Sequence, residues 1–406
     1  MTCAIVDAYG AGRLLPAALR RRHIEFVHVR SQHPDTRLVY RPEDFAIDIQ
    51  HTGDVRATAA ALRGVGVSSV VAAAESGVLL ADELCVALNV PGNAIDRTLA
   101  RRDKFAMQEV VRAAGLPTAQ NLQSTSAADT VEWVRGQRRW PVVLKPALSA
   151  GTDNVIICNS VDEVTAAHDR IMCSVDRYGR RNNVVLAQQY LHGSEHYVNT
   201  VSRDGEHRVV EVWRYRKHTV NGRSVYDYDD LLSLDDDGAS DIVDYVLQVL
   251  NALGIANGAA HTEVMLTPDG PYLIESGARL GGGQMPELLT RCVGSDQVDN
   301  LAFSIADPEG FKAEIAAPYR RSSHLRCVNL ISPGDGAIPF ADRWQPIRDL
   351  PSFAGLVVNH PEGVPVSRTV DMATCPGTVY LNTADPSELE SDYLALRDIE
   401  RNGLYR

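Results

Sequence analysis

Long apolar runs are missing from this sequence. No stretch approaches the roughly eighteen apolar residues of a membrane-spanning helix, so neither a span nor a membrane partner is expected. The opening residues, Met1-Thr-Cys-Ala-Ile-Val-Asp7, lack a basic segment followed by an apolar stretch and a cleavage site, so secretion is not expected. Paired cysteines are missing too. The seven cysteines are scattered from Cys3 to Cys375 with no Cys-x-x-Cys, which reads as reduced thiols in a cytoplasmic protein. Nor is there an excess of positive charge: 40 Lys and Arg against 52 Asp and Glu leave −12. Such a chain repels phosphate backbones, so nucleic acid is not an expected partner. There is no Walker loop, no internal repeat and no low-complexity tract. Gly10-Ala-Gly12 lacks the third glycine of a dinucleotide fingerprint and reads as a tight βα turn.

What is present is a globular balance, 45% hydrophobic and 23% charged over 406 residues, enough for two or three domains. Residues 2–7 predict a strand, Leu14 to Arg22 a helix, Ile24–Arg30 and Val67–Ala74 further strands, and the stretch from Val78 to about Leu88 a helix. That alternation predicts a doubly wound parallel sheet over 1–98, with ligand-facing groups at the carboxyl ends of its strands. Asp103 to Ala114 then reads as a helix, stopped by Gly115 and Pro117. Strands follow at Val142–Lys145, Val155–Cys158, Val184–Gln189 and Tyr197–Val201. A helix runs at about Asp241–Leu253, and strands at Ala259–Leu266 and Pro271–Glu275 flank a Thr267-Pro-Asp-Gly270 turn. The tail is strand-rich, with a last helix from Pro386 to about Arg401.

Three stretches carry chemistry. In Trp140–Val155, Lys145 ends an apolar strand and is followed by the small-residue loop Ser149-Ala-Gly151-Thr152. Backbone N–H groups of such a loop approach an anion closely and the lysine adds a cation, which suits a nucleoside triphosphate. The bland alternative is a hairpin with a snorkelling lysine. Glu263 and Glu275 lie twelve positions apart on two strands joined by a turn, which places them side by side. Two adjacent inward carboxylates suit Mg²⁺ bridging phosphates, and the following Ser-Gly-Ala-Arg279-Leu-Gly-Gly-Gly283 reads as an anion clamp rather than a surface loop. In Val184–Thr200, Gln188, Gln189, Tyr190 and Leu191 offer hydrogen bonds and an apolar wall for a flat base, and Glu195 a partner for ribose hydroxyls. The same stretch spells His192-Gly-Ser-Glu195-His196, a zinc pattern that needs a helix. Gly193 sits between β-rich runs instead, so zinc is not expected. Trp213-Arg-Tyr-Arg-Lys217 reads as a substrate- or phosphate-facing strand.

In this order the pieces resemble the ATP-grasp superfamily, from Arg102-Asp-Lys104 through Lys145, the Ser149–Thr152 loop, Gln188–Leu191 and Glu195 to Glu263 and Glu275, over about residues 100–310. The resemblance implies an ATP-grasp fold of two α+β subdomains gripping ATP over 99–310, its small lid subdomain at about 118–190. A strand-rich portion at 311–406 completes the chain. It implies that Lys104 and Lys145 contact the nucleotide phosphates, that Ser149, Gly151 and Thr152 close over them, and that Gln188–Leu191 line the adenine. It also implies that Glu195 binds ribose and that Glu263 and Glu275 hold Mg²⁺, with Mn²⁺ as a substitute. Within the superfamily, Glu275 to Gly283 looks most like the L-amino acid ligases that form dipeptides. Where many members read Glu-x-Asn-Pro-Arg, with the Asn a further metal ligand, Gly277 stands here.

That likeness implies an ATP-dependent carboxylate–amine ligase, releasing ADP and phosphate through an acyl phosphate, with amino acids as substrates and a homodimer as the assembly. Lys145 and Arg279 would neutralise charge. Glu75 and Ser76 of the first domain, Arg279, and Gly282 and Gly283 would face substrate, Gly283 leaving room for a bulky first amino acid. The rival is a carboxylase or purine-biosynthetic ATP-grasp enzyme acting on bicarbonate, formate or a nucleotide amine, for which Arg13, Arg20, Arg21 and Arg22 could supply a phosphate pocket.

Overall fold

The computed structural model describes residues 1–149, 153–176, 178–220, 223–283 and 285–406. The first domain is a four-stranded sheet ordered Asp48–Gln50, Glu25–Arg30, Thr2–Val6, Val67–Ala72, every neighbouring pair parallel. The inner strand Thr2–Val6 is a near-continuous apolar run because helices cover both faces. One of these, Val55–Gly64, was not foreseen, although Asp54 caps it by accepting from the Arg56 and Ala57 amides. The turn Glu75–Gly77 follows the carboxyl end of Val67–Ala72, at the edge where ligands of such sheets bind.

A second four-stranded sheet, antiparallel throughout, is ordered Asn121–Ser124, Val185–Gln189, Val142–Pro146, Ile156–Cys158. Helices Ala127–Gln137 and Val161–Met172, which sequence periodicity did not single out, pack on its back through Val134, Val164 and Ile171. This sheet lies within the span expected for the lid.

The third sheet has eight strands, antiparallel at every step: Gly270–Gly277, Gly258–Thr267, Ser194–Arg203, Glu206–Val220, Arg223–Leu231, His324–Asn329, Gly377–Thr383 and Phe353–Val358. Helix Ala239–Ala252 covers one face by burying Ile242, Val246, Val249 and Leu250, a helical repeat of apolar positions. Beyond residue 311, His324–Asn329, Gly377–Thr383 and Phe353–Val358 extend this sheet through a short ladder, Tyr228↔Val328, Asp229↔Cys327 and Asp230↔Arg326, while Gly336–Ala337 and Pro365–Val366 pair only with each other among the described residues. Two ionic clasps reinforce the seam: Arg326 Nε lies 2.7 Å from Asp230 Oδ1, and Arg397 of the last helix holds Asp227.

Candidate active site

A cavity of about 290 Å³ opens between the small sheet and the eight-stranded sheet. From the small sheet it takes Val143, Lys145, Ile157, Gln188 and Gln189, and from the chain leaving that sheet Tyr190 and Leu191. From the large sheet it takes Glu195, Lys217, Glu263 and Glu275, from the turn just past its edge strand Arg279, and from helix Lys104–Ala113 Lys104 at its first residue. Asp103 caps that helix by accepting from the Ala106 amide, which sets Lys104 where the chain enters the cavity. Ser149 lines the same space; Gly151 and Thr152 lie outside the described residues.

The two carboxylates expected to pair do so. Glu263 and Glu275 are direct cross-strand partners. Lys104 Nζ sits 3.1 Å from Glu275 Oε1 and donates to the Ser149 carbonyl. Lys145 is buried and has no ion pair among the described residues. Burial, with Lys104 close by, lowers its pKa to about 8, against the pull of Glu275, Glu263 and Glu195. A lysine so placed gains from any anion that enters. Burial pushes Glu263 up, but the His261 hydrogen bond and nearby cations overcome it and hold the carboxyl at about 2. His261 Nε2 lies 3.4 Å from Glu263 Oε1, and the Tyr215 hydroxyl 3.5 Å from the same oxygen.

A divalent cation fits here only with help. Among the described residues no three acidic, histidine or cysteine side chains converge to hold an ion by themselves. Two cross-strand carboxylates are the protein share of a Mg²⁺ site that draws its other ligands from phosphates and water. The zinc pattern dissolves: His196 is buried in a strand, its Nδ1 3.0 Å from the Ser194 carbonyl, while His192 stacks edge-on against Tyr190.

Several expected residues sit differently from the reading of the sequence. Glu195 faces the cavity, but Lys217 Nζ is 2.6 Å from its Oε1 and lies over the rings of Tyr215 and Tyr226 at 4.5 and 4.0 Å. Glu75 is buried between two arginines: its Oε2 accepts from Arg279 Nε at 3.0 Å, and its Oε1 from Arg102. Burial would raise the Glu75 pKa; Arg102 and Arg279 outweigh it and hold the carboxyl below its ordinary range. Ser76 donates to Asp7 Oδ2 at 2.5 Å. Gly277 owes its identity to this network, since a Cβ there would meet Glu75 Oε2 at 2.6 Å. Gly282 and Gly283 are exposed and do not line the cavity. Gly283 has φ +65, a backbone conformation that favours glycine, and among the described residues no atom lies within 4 Å of where its Cβ would stand. The arginines offered as a phosphate pocket are otherwise engaged. Arg20 pairs with Asp44, Arg21 and Arg22 with Asp299, and Arg13 donates to the Gly10 carbonyl.

The ATP-grasp domain family matches residues 138–287. Dapdiamide A synthase of Enterobacter agglomerans is 32% identical over 98% of this chain and 95% of its own length. The chain belongs to the ATP-grasp family. Two further likenesses agree. The L-arginine-specific L-amino acid ligase of Bacillus subtilis is 23% identical over 55% of this chain and 54% of that protein. The crystal structure of an L-amino acid ligase from Bacillus licheniformis superposes with a TM-score of 0.77 at 18% identity, covering 98% of this chain and 97% of that one. The ATP-grasp fold thus accounts for the cavity: the small sheet is one jaw and the eight-stranded sheet the other. No helix among the described residues is long and apolar enough to cross a membrane.

Proposed function

We propose that this protein joins the carboxylate of one amino acid to the amine of another, using ATP. The observation that carries this is one cavity holding two buried lysines, Lys104 and Lys145, against the cross-strand carboxylates Glu263 and Glu275, with Arg279 at its rim. The ligases among its relatives support the same reading. A substrate carboxylate oxygen attacks the terminal phosphorus and ADP leaves. An amine then attacks the acyl carbon, phosphate leaves, and the amine gives up a proton. Lys104 and Lys145 bind phosphate oxygens and offset the charge that moves with the phosphoryl group. Arg279, held by Glu75, presents its fork to the acyl phosphate and to the tetrahedral species that follows. Gln188 to Leu191 line the end of the cavity suited to a base. Mg²⁺ bound through Glu263 and Glu275 would supply Lewis-acid charge at the phosphates.

The purine-type rival would draw on a basic pocket in the first domain; that Arg20, Arg21 and Arg22 each carry an acidic partner favours the ligase reading over it. A homodimer and a cytoplasmic location belong to the same proposal and rest on family likeness and reduced cysteines. The deciding experiment incubates the protein with ATP, Mg²⁺ and pooled amino acids. It measures phosphate release and identifies products by mass. Release that depends on amino acids supports the proposal; release with bicarbonate or formate but not amino acids rejects it.

A further inference from the structure

Cross-strand partners share a face, so the register Glu275↔Glu263↔Tyr197↔Trp213↔Leu231 marks the cavity side of the eight-stranded sheet. Two residues along from Trp213 and Leu231, the same face carries Tyr215↔Asp229, then Asp229↔Cys327 and Cys327↔Tyr380. Around this row, Tyr197, Trp213, Leu231, Leu325 and Tyr380 are buried, and Leu288 and Leu289 cover them. Tyr215, Asp229 and Cys327 keep part of their surface open. They continue the cavity face of the sheet, Tyr215 touching Glu263.

Asp229 differs from the aspartates beside it. Asp227 is held by Arg397 and Asp230 by Arg326. Asp229 has no ion pair among the described residues, and its Oδ1 is enclosed without any hydrogen-bond partner. The neighbouring cation, Lys217, is committed to Glu195. Burial pushes the Asp229 carboxyl up to about 8, against Lys217 and the Tyr197 hydroxyl. With the Tyr197 hydroxyl on the carboxyl, Oδ1 still lies unpaired in mid-strand, where a polar atom is costly to desolvate, so a partner from outside the chain accounts for it.

We infer that Asp229 receives a positively charged side chain, an ammonium or guanidinium, on one of the two amino acids that react beside Glu263 and Arg279. This rests on the ligase reading above. Three strand spacings and two residues along the strand separate Asp229 from Glu263, roughly 16 Å between backbones, a reach that suits a basic side chain rather than the substituents of the reacting α-carbon.

The test measures phosphate release with L-ornithine, L-lysine and L-arginine against the neutral L-norleucine and L-citrulline, and binding of the same compounds by calorimetry. Wild type should prefer the cationic set. Asp229→Asn should raise KM for that set by about 10–100-fold while leaving the neutral set within a few-fold, and Asp229→Glu should restore part of the preference. An unchanged ATP affinity shows that each variant is folded. Equal use of cationic and neutral compounds by wild type, or an Asp229→Asn enzyme that keeps the preference, overturns the inference. If no amino acid releases phosphate, the ligase reading fails by itself. Calorimetry of L-arginine against wild type and Asp229→Asn then decides the role of Asp229 alone.

Discussion

Glu75→Gln keeps the shape of the side chain and removes its charge, leaving Arg102 and Arg279 to share a neutral amide. The Arg102 side chain is 5% exposed, Arg279 19% and Glu75 10%. Removing one partner of a buried ion pair costs about 3–5 kcal/mol. The greater exposure of Arg279, together with the hydrogen bonds an amide can still accept, argues for the lower end, about 3 kcal/mol. The depressed Glu75 pKa also fixes a pH signature. Folding favours the ionised form, so its stabilisation is fully present above about pH 4.5 and is lost as the pH falls through the lower folded value. Urea unfolding at pH 7 and pH 4 reads both effects: the gap between variant and wild type should be wide at pH 7 and narrower at pH 4. Turnover should fall by about 100-fold even where the variant is folded, because Arg279 loses the contact that aims it. A variant within about 0.5 kcal/mol of wild type at both pH values would refute the coupling of Glu75 to the two arginines.

Lys145→Ala should abolish measurable ATP turnover and weaken ATP binding. In the wild type, ATP affinity should decline as pH rises through about 8, because the free lysine loses its proton there; a flat titration would contradict this. Glu275→Gln should lower turnover by orders of magnitude and weaken Mn²⁺ binding in the presence of nucleotide, read by paramagnetic resonance, and should lower the melting temperature because Lys104 loses its ion-pair partner. Gly283→Ala should destabilise by about 1 kcal/mol through its positive φ and depress activity on all amino acids alike; a change in side-chain preference instead would return Gly283 to the substrate pocket.

The site is legible in the sequence where its geometry is local. Glu263 and Glu275 flank a turn whose residues demand reversal, so alternation alone aligns them. Lys145 is legible because it ends an apolar strand and precedes small residues. What the sequence hides is contact across long separations. Arg279 and Glu75 are 204 positions apart, and nothing near either residue signals the other. A histidine in an apolar strand reads as core, so the sequence hides His261; its place between Asn199 and Glu263 is visible only once two strands are side by side. The parallel first sheet follows from strand and helix alternation. The union of residues beyond 311 with the central sheet does not, because a three-pair ladder between distant strands leaves no periodic trace.

That ladder has a consequence for recombination. Exchanging residues 311–406 between relatives as a cassette would cut the sheet between Arg223–Leu231 and His324–Asn329, exposing an unpaired strand edge until the new partner docks. Only three residue pairs specify that docking, so the choice of partner falls to Asp227 with Arg397 and Asp230 with Arg326. A chimera that inherits the acids from one parent without the arginines from the other buries unpaired charge at the join. The natural crossover unit therefore begins before Asp227, upstream of the boundary that the change from helix-rich to strand-rich sequence suggests.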